Sequence, residues 1–188
     1  MTHVVAVSGS LRDASRTRRS LRVVLDGVTD AGGEGELLDL REYALPTLNP
    51  ENAVGADVEA FTDSLLAADA IVLGTPMYHG SYSGVLKNAI DHCGFDEFEG
   101  KTVGLLAVAG GSFPVTALDH LRSVCRSLNA WVLPHQAAVP DSGSAFQDGQ
   151  LVDNGLRNRL ETLGSRTVRY ANIEPDPPTF ESDHTEGA

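Results

Sequence analysis

The feature that most constrains this chain is an alternation: short runs rich in apolar residues, each too brief for a helix, are separated by longer segments with apolar residues every three or four positions. The runs are Val4 to Ser8, Glu36 to Leu40, Ala70 to Gly74, Thr102 to Ala109, and Ala130 to Val139 with an interruption near Pro134. A strand that is apolar on successive residues buries both faces, which calls for a parallel sheet with helices on either side. The helical segments are Arg16 to about Thr29, a segment capped by Asp57 with Val58, Phe61 and Leu65 on one face, Ser83 to about Cys93, and Val152 to about Tyr170. A further helix is opened by Pro114 and carries Val115, Leu118, Leu121, Val124 and Leu128 as its buried stripe. The pattern predicts an α/β fold of five strands and five helices, whose ligands bind beyond the carboxyl ends of the strands.

A chain of 188 residues has room for one domain with a full core. Residues 1 to 172 are expected to form it. From Ile173 onward Pro175, Pro177 and Pro178 accompany five acidic residues and no basic one, so 173–188 is expected to be a disordered, solvated tail. The opening apolar run meets Ser8 at once, too early for the core of a signal peptide, and no run approaches the roughly 18 residues of a membrane helix. A soluble, cytoplasmic protein is expected.

Charge narrows the partners. With 14 basic against 26 acidic residues the net charge is −12, a field that repels nucleic acid and anionic membranes. Lys87 and Lys101 are the two lysines, and an acid-rich, lysine-poor surface suits a halophilic source, where salt screens self-repulsion. Cys93 and Cys125 stand alone and read as buried, reduced thiols; His3, His79, His92, His120, His135 and His184 are scattered, so no metal site is expected. Arg12, Arg16, Arg18, Arg19 and Arg22 fall within eleven residues. The last four read as a solvated helix face. Arg12 precedes the helix, where its charge can meet an anion.

Three polar loops follow strands and share one edge of a parallel sheet: Ser8 to Thr17, Thr75 to Gly84, and Gly110 to Phe113. In the first, hydroxyls, free helix amides and a guanidinium can converge on one dianion, the design of a phosphate-binding loop. No Gly-Lys-Ser follows and no Gly-x-Gly-x-x-Gly is present, which disfavours a nucleoside triphosphate or a Rossmann-bound dinucleotide and leaves a monophosphate. Tyr78 and Tyr82, interleaved with Gly80 and Gly84 in the second loop, suit a planar aromatic ring. No Gly-x-Ser-x-Gly elbow exists, which argues against an α/β-hydrolase. Either a flavodoxin-like strand order or half of a Rossmann sheet satisfies these observations.

Gly9-Ser10-Leu11-Arg12-x-x-Ser15-x-Thr17, taken with Thr75-Pro76-x-Tyr78-His79-Gly80-Ser81-Tyr82-Ser83-Gly84-Val85-Leu86-Lys87-Asn88-Ala89-Ile90-Asp91, resembles the NAD(P)H-dependent FMN reductase family of flavodoxin-like proteins. Gly110-Gly111-Ser112 fits it too. The resemblance implies a doubly wound five-stranded sheet of order 2-1-3-4-5, a homodimer or homotetramer, and FMN bound across two subunits with NADPH or NADH as reductant. It places the phosphate at Ser10, Arg12, Ser15 and Thr17, with Ser8 and Leu11 in the same loop. Pro76, Met77, Tyr78, His79, Gly80 and Ser81 would surround the isoalloxazine, flanked by Gly110, Gly111 and Ser112. Lys87, Asn88 and Asp91 read as residues that pack and cap their own helix. Many members have Glu-Tyr-Asn where this chain has Met77-Tyr78-His79, and Phe113-Pro114 stands where further glycines are usual. The Ser81-Tyr82-Ser83-Gly84 stretch and the polar loop Asp141 to Gly149 are similar to reductases that hand reduced flavin to a flavin-dependent monooxygenase. An FMN-holding reductase of quinones, azo compounds or metal oxyanions is the alternative, and a flavodoxin-like electron carrier the lesser one. In each case the substrates are small molecules and no side chain need act as nucleophile or base, since hydride transfer is achieved by positioning.

Overall fold

The apolar runs become strands because each lies between helix layers. The computed structural model describes residues 1–51 and 55–173. β1 (His3–Ser8), β2 (Glu34–Asp39), β3 (Ala70–Pro76) and β4 (Thr102–Val108) are parallel, and every residue of β3 and β4 is buried. The sheet order is β2-β1-β3-β4-β5, the flavodoxin-like order rather than a Rossmann half. The fifth position is filled by two short strands, β5 (Trp131–Val132) and β6 (Ala137–Val139), both pairing with β4. The predicted break at Pro134 is the reason: proline has no N–H to give a ladder.

Alternation along the strands sorts the core into two layers. Val5, Val7, Ile71, Leu73, Val103 and Leu105 meet Phe61, Leu65, Leu86, Ile90, Leu118 and Leu121 from α2 (Ala56–Leu66), α3 (Gly84–Asp91) and α5 (Val115–Ser127). Val4, Ala6, Ala70, Val72 and Leu106 face Leu21, Val24, Leu160 and Leu163 from α1 (Arg16–Asp30) and α7 (Asn154–Arg169). α1 and α7 touch backbone to backbone: a Cβ on Gly164 would lie 1.9 Å from the Val24 carbonyl oxygen, and one on Gly27 would lie 2.2 Å from that of Glu161. Only glycine permits that approach.

Several expectations are corrected. Asp57 does not cap α2; Gly55 holds the cap position and the Asp57 carboxylate accepts from the Ala44 N–H at 2.7 Å, pinning the long connection after β2. Pro114 and Ser83 are caps rather than first helical residues, and the Ser83 hydroxyl accepts from the Leu86 N–H. Val115 is 47% exposed and not part of the buried stripe, while Val124 and Leu128 are half-buried. A short helix, α4 (Phe95–Phe98), closes the chain before β4 around the fully buried Phe98. The expected polar loop at 141–149 contains α6 (Ser142–Ala145) and a hairpin of β7 (Phe146–Gln147) with β8 (Gln150–Leu151), because Ala145, Phe146 and Leu151 bury against the α1 side. Both cysteines are free; Cys125 is buried, Cys93 half-buried, and burial pushes both thiols upward, Cys125 to about 12. The expected tail falls on residues 174–188, outside the described residues, apart from Ile173. No described helix is long and apolar enough to cross a membrane.

Candidate active site at the carboxyl edge

Loop 1, residues 9–15, leaves β1 and enters α1. Gly9 donates its N–H to the Gly74 carbonyl at 2.8 Å, and its own carbonyl accepts from the Ser83 hydroxyl at 2.7 Å. Here glycine is required for space: an added Cβ would stand 2.7 Å from the Leu86 Cβ and 3.0 Å from the Ser83 oxygen. Beyond Gly9 the N–H groups of residues 10–17 make no backbone hydrogen bond among the described residues. Ser15 is the N-cap of α1, its hydroxyl accepting from the Arg18 N–H at 3.1 Å, and a hydroxyl proton remains for a ligand. Ser10, Ser15 and Thr17 are buried beneath the loop, whereas Leu11 and Arg12 are exposed. Ser8 is fully buried and its hydroxyl finds no partner.

The arginine cluster is not the uniform solvated face that was expected. Of Arg16, Arg18, Arg19 and Arg22, only Arg22 is exposed. Arg18 is paired with Asp39 at 3.0 Å, the Arg16 guanidinium reaches the Ser142 hydroxyl at 3.5 Å, and that of Arg19 lies against Gly149, where a Cβ would sit 2.9 Å away. Arg12 has no carboxylate partner among the described residues. Its charge is therefore free for an anion.

Loop 2 follows β3. Tyr78 and Ser81 exchange backbone hydrogen bonds of 2.9 and 3.0 Å around His79 (φ 49°) and Gly80 (φ 81°), a turn whose two central residues both have positive φ. Histidine, like asparagine, adopts that conformation more readily than most residues. Met77, Tyr78 and Ser81 spend their N–H groups inside the protein; His79 and Gly80 find no backbone acceptor among the described residues. Pro76 is buried at the end of β3 and Met77 half-buried, while Tyr78 and His79 stand out from the edge. Ser83 binds loop 2 to loop 1, its N–H donating to the Thr75 hydroxyl at 2.9 Å while its own hydroxyl holds Gly9.

Two residues on α5 reach loop 2 and were missed in the sequence. The Thr116 hydroxyl lies 3.7 Å from the Met77 sulfur, and His120 Nδ1 lies 2.9 Å from the Ser81 hydroxyl, with the Tyr82 ring edge-on to the imidazole. Their helical spacing of four carried the signal, but only the fold shows which loop they face. Asn88 was read as packing its own helix; instead it accepts from the Leu48 N–H at 3.1 Å and donates to the Pro46 carbonyl at 2.9 Å, holding the chain after β2. Lys87 and Asp91 do pair along α3.

Loop 3, residues 109–114, follows β4. It is tied to the turn before α6: Asp141 N–H donates to the Gly111 carbonyl at 3.0 Å, Ser142 N–H to that of Ala109 at 2.9 Å, and the Ser112 hydroxyl to Asp141 at 3.4 Å. Among the described residues nothing lies within 4 Å of where a Cβ would stand on Gly110 or Gly111. Phe113 is 79% exposed. Among the described residues no three His, Cys, Asp or Glu side chains gather as metal ligands.

The model of a known family, NADPH-dependent FMN reductase, matches residues 2–144. The chain belongs to that family. An FMN-dependent NADPH-azoreductase of Staphylococcus aureus is 34% identical over 178 residues, covering 90% of this chain and 95% of that protein. Among solved structures, an NADH:FMN oxidoreductase in its apo form matches with a TM-score of 0.74 at 24% identity, over 94% of this chain and 93% of that one. The flavoenzyme NAD(P)H:(acceptor) oxidoreductase of Paracoccus denitrificans matches with 0.76 at 23%, over 91% and 97%. At those identities the structures establish the fold. As an FMN reductase of this family the chain is an NAD(P)H-dependent oxidoreductase with FMN as cofactor. The carboxyl edge suits that cofactor: a row of free N–H groups and an unpaired guanidinium match a phosphate, and the open space above Gly110 and Gly111 admits a flat ring.

Proposed function

We propose that FMN binds with its phosphate at loop 1 and its ring between loops 2 and 3, is reduced there by NADPH or NADH, and leaves as reduced flavin. The observation that carries the placement is the run of free N–H groups at residues 10–17, capped by Arg12, at the N-terminus of a fifteen-residue helix. Bound FMN supplies the hydride-accepting ring. Arg12, Ser10, Ser15 and Thr17 fix its phosphate, Ser8 and Leu11 shape the loop around them, and Pro76, Met77, Tyr78 and Ser81 form the wall beside the ring. His79, Gly80, Gly110, Gly111 and Ser112 offer N–H groups to the charge that develops on reduction. None of these residues needs to act as a nucleophile or general base.

A visible spectrum of the purified protein, followed by anaerobic NADH and NADPH addition, tests the reading; bleaching of a flavin band supports it. A second reading is favoured by the 34% identity to an azoreductase: FMN stays bound and electrons pass to an azo compound or quinone. Moreover Ser83, within the stretch that resembles the flavin-releasing reductases, is occupied in tying loops 1 and 2 together, a need of any member. Dialysis separates the two. Flavin lost on dialysis, with NAD(P)H oxidation saturating in added FMN, fits release; stoichiometric flavin retained through dialysis and quinone turnover without added FMN fits the second.

A homodimer or homotetramer in the cytoplasm, with a flavin-dependent monooxygenase as recipient, completes the first reading. The surplus of acidic residues suits a halophilic source.

A further inference from the structure

Asp39 is the last residue of β2, and its side chain is 6% exposed. It accepts from Arg41 Nη2 at 2.6 Å and Nε at 3.0 Å, from the Arg41 backbone N–H at 3.2 Å, and from Arg18 Nη1 at 3.0 Å. Burial alone would raise this carboxyl, but the bonds from Arg41 and the charges of Arg18 and Arg41 outweigh it and hold Asp39 below the ordinary carboxylate range. Arg18, so fixed, donates through Nη2 to the Asp13 carbonyl and more distantly, at 3.5 Å, through Nη1 to that of Arg12. Arg41 Nη1 meanwhile meets the Asp13 carboxylate at 3.0 Å.

A trans peptide unit is planar with its C=O and N–H on opposite sides. A carbonyl of Asp13 drawn down onto Arg18 therefore turns the Ala14 N–H up, away from Arg18. The same geometry, more weakly, turns the Asp13 N–H. Both belong to the row of amides without backbone acceptors. Arg18 gives three of its five N–H donors to Asp39 and two carbonyls, which fixes its guanidinium in this network, whereas Arg12 is tied to no carboxylate among the described residues.

We infer that Arg18, anchored by Asp39, is a positioning residue for phosphate recognition: it aims the Ala14 and Asp13 N–H groups at the anion that Arg12 meets directly. This rests on the reading of loop 1 as the phosphate site. The division of labour explains why two arginines so close in sequence are built differently, one buried in a network and one free.

The test compares FMN with riboflavin, which lacks only the phosphate, by fluorescence titration of the full chain freed of flavin. Wild type should bind FMN at least about tenfold more tightly, the size of one charge-assisted hydrogen bond. Arg18→Gln should cut that preference by about tenfold while riboflavin affinity moves less than about twofold, and Asp39→Asn should act in the same direction by about threefold. A wild type that binds riboflavin as tightly as FMN overturns the loop 1 reading itself. Where wild type prefers FMN but Arg18→Gln weakens both ligands equally, or leaves the preference intact, the positioning role is overturned and Arg18 is only a structural tie. Should Arg18→Gln fail to fold, Asp39→Asn carries the same comparison with a near-isosteric change.

Discussion

Loops 1 and 3 leave the same sheet edge, from β1 and β4 on either side of β3, and are built in opposite ways. Loop 1 is gripped from all sides: Gly9 by Gly74 and Ser83, the Asp13 carbonyl by Arg18, and Ser15 by the helix it caps. Loop 3 is fixed at the carbonyls of Ala109 and Gly111 and at the Ser112 hydroxyl, but among the described residues nothing packs beside Gly110 or Gly111, and it ends at an exposed phenylalanine. Preorganisation raises affinity by removing the ordering cost at the moment of binding, and a phosphate has the same shape in every flavin mononucleotide. The partner that must enter and leave at the ring is better met by a loop that can adapt. On the proposed placement of FMN, the contrast would give constancy to one loop and exchange to the other.

The sharpest way to break this contrast is with one methyl group at each loop. Gly9→Ala should destabilise the protein by about 3 kcal/mol, the upper range for overpacking, since the methyl meets Leu86 and Ser83, while Gly111→Ala should stay within about 0.5 kcal/mol. Urea denaturation measures both, and equal effects would erase the distinction. Next in size, Arg12→Ala should weaken FMN binding by about 2 kcal/mol, read by fluorescence quenching. An unchanged dissociation constant would remove Arg12 from the site.

A smaller effect concerns acid. Because Asp39 is held below its ordinary value of 3.8, its stabilisation is complete above that pH and is lost as pH falls through the lowered folded value. Asp39→Asn should cost about 1.5 kcal/mol at neutral pH, with the gap to wild type closing below about pH 4. Stability measured across that range decides it; a gap that persists in acid would mean that the charge on Asp39 does not matter. Least of all, Phe113→Ser should change stability by under about 0.5 kcal/mol, as a side chain with little to bury in the monomer, and a larger loss would show that loop 3 is covered in solution.

The strands were legible because β1, β3 and β4 are apolar at consecutive positions, a pattern few other structures require. Loop 1 stands out in the sequence for a related reason: hydroxyls and an arginine gather between a strand and a helix, and the N–H groups of residues 10–17 find no backbone acceptor among the described residues. What stayed hidden depends on distant pairing. Arg18 and Arg22 look alike in the sequence, and only the meeting of α1 with the end of β2 gives Arg18 its carboxylate. Likewise Phe146 and Leu151 sit in a polar stretch, and nothing local says that the α1 side will bury them. His120 reads in the sequence as one of several scattered histidines, and only the lie of α5 along loop 2 brings it to Ser81.

The glycine contact between α1 and α7 sets an order of assembly. α1 is among the first elements to be synthesised, yet the surface formed by Leu21, Val24 and Val28 is completed by Leu160 and Leu163 of α7, which emerges after every strand of the sheet. A nascent chain whose residues 154–169 have not yet emerged has its first helix without that packing partner. The face of α1 that packs on α7 is therefore among the last parts of the core to be covered.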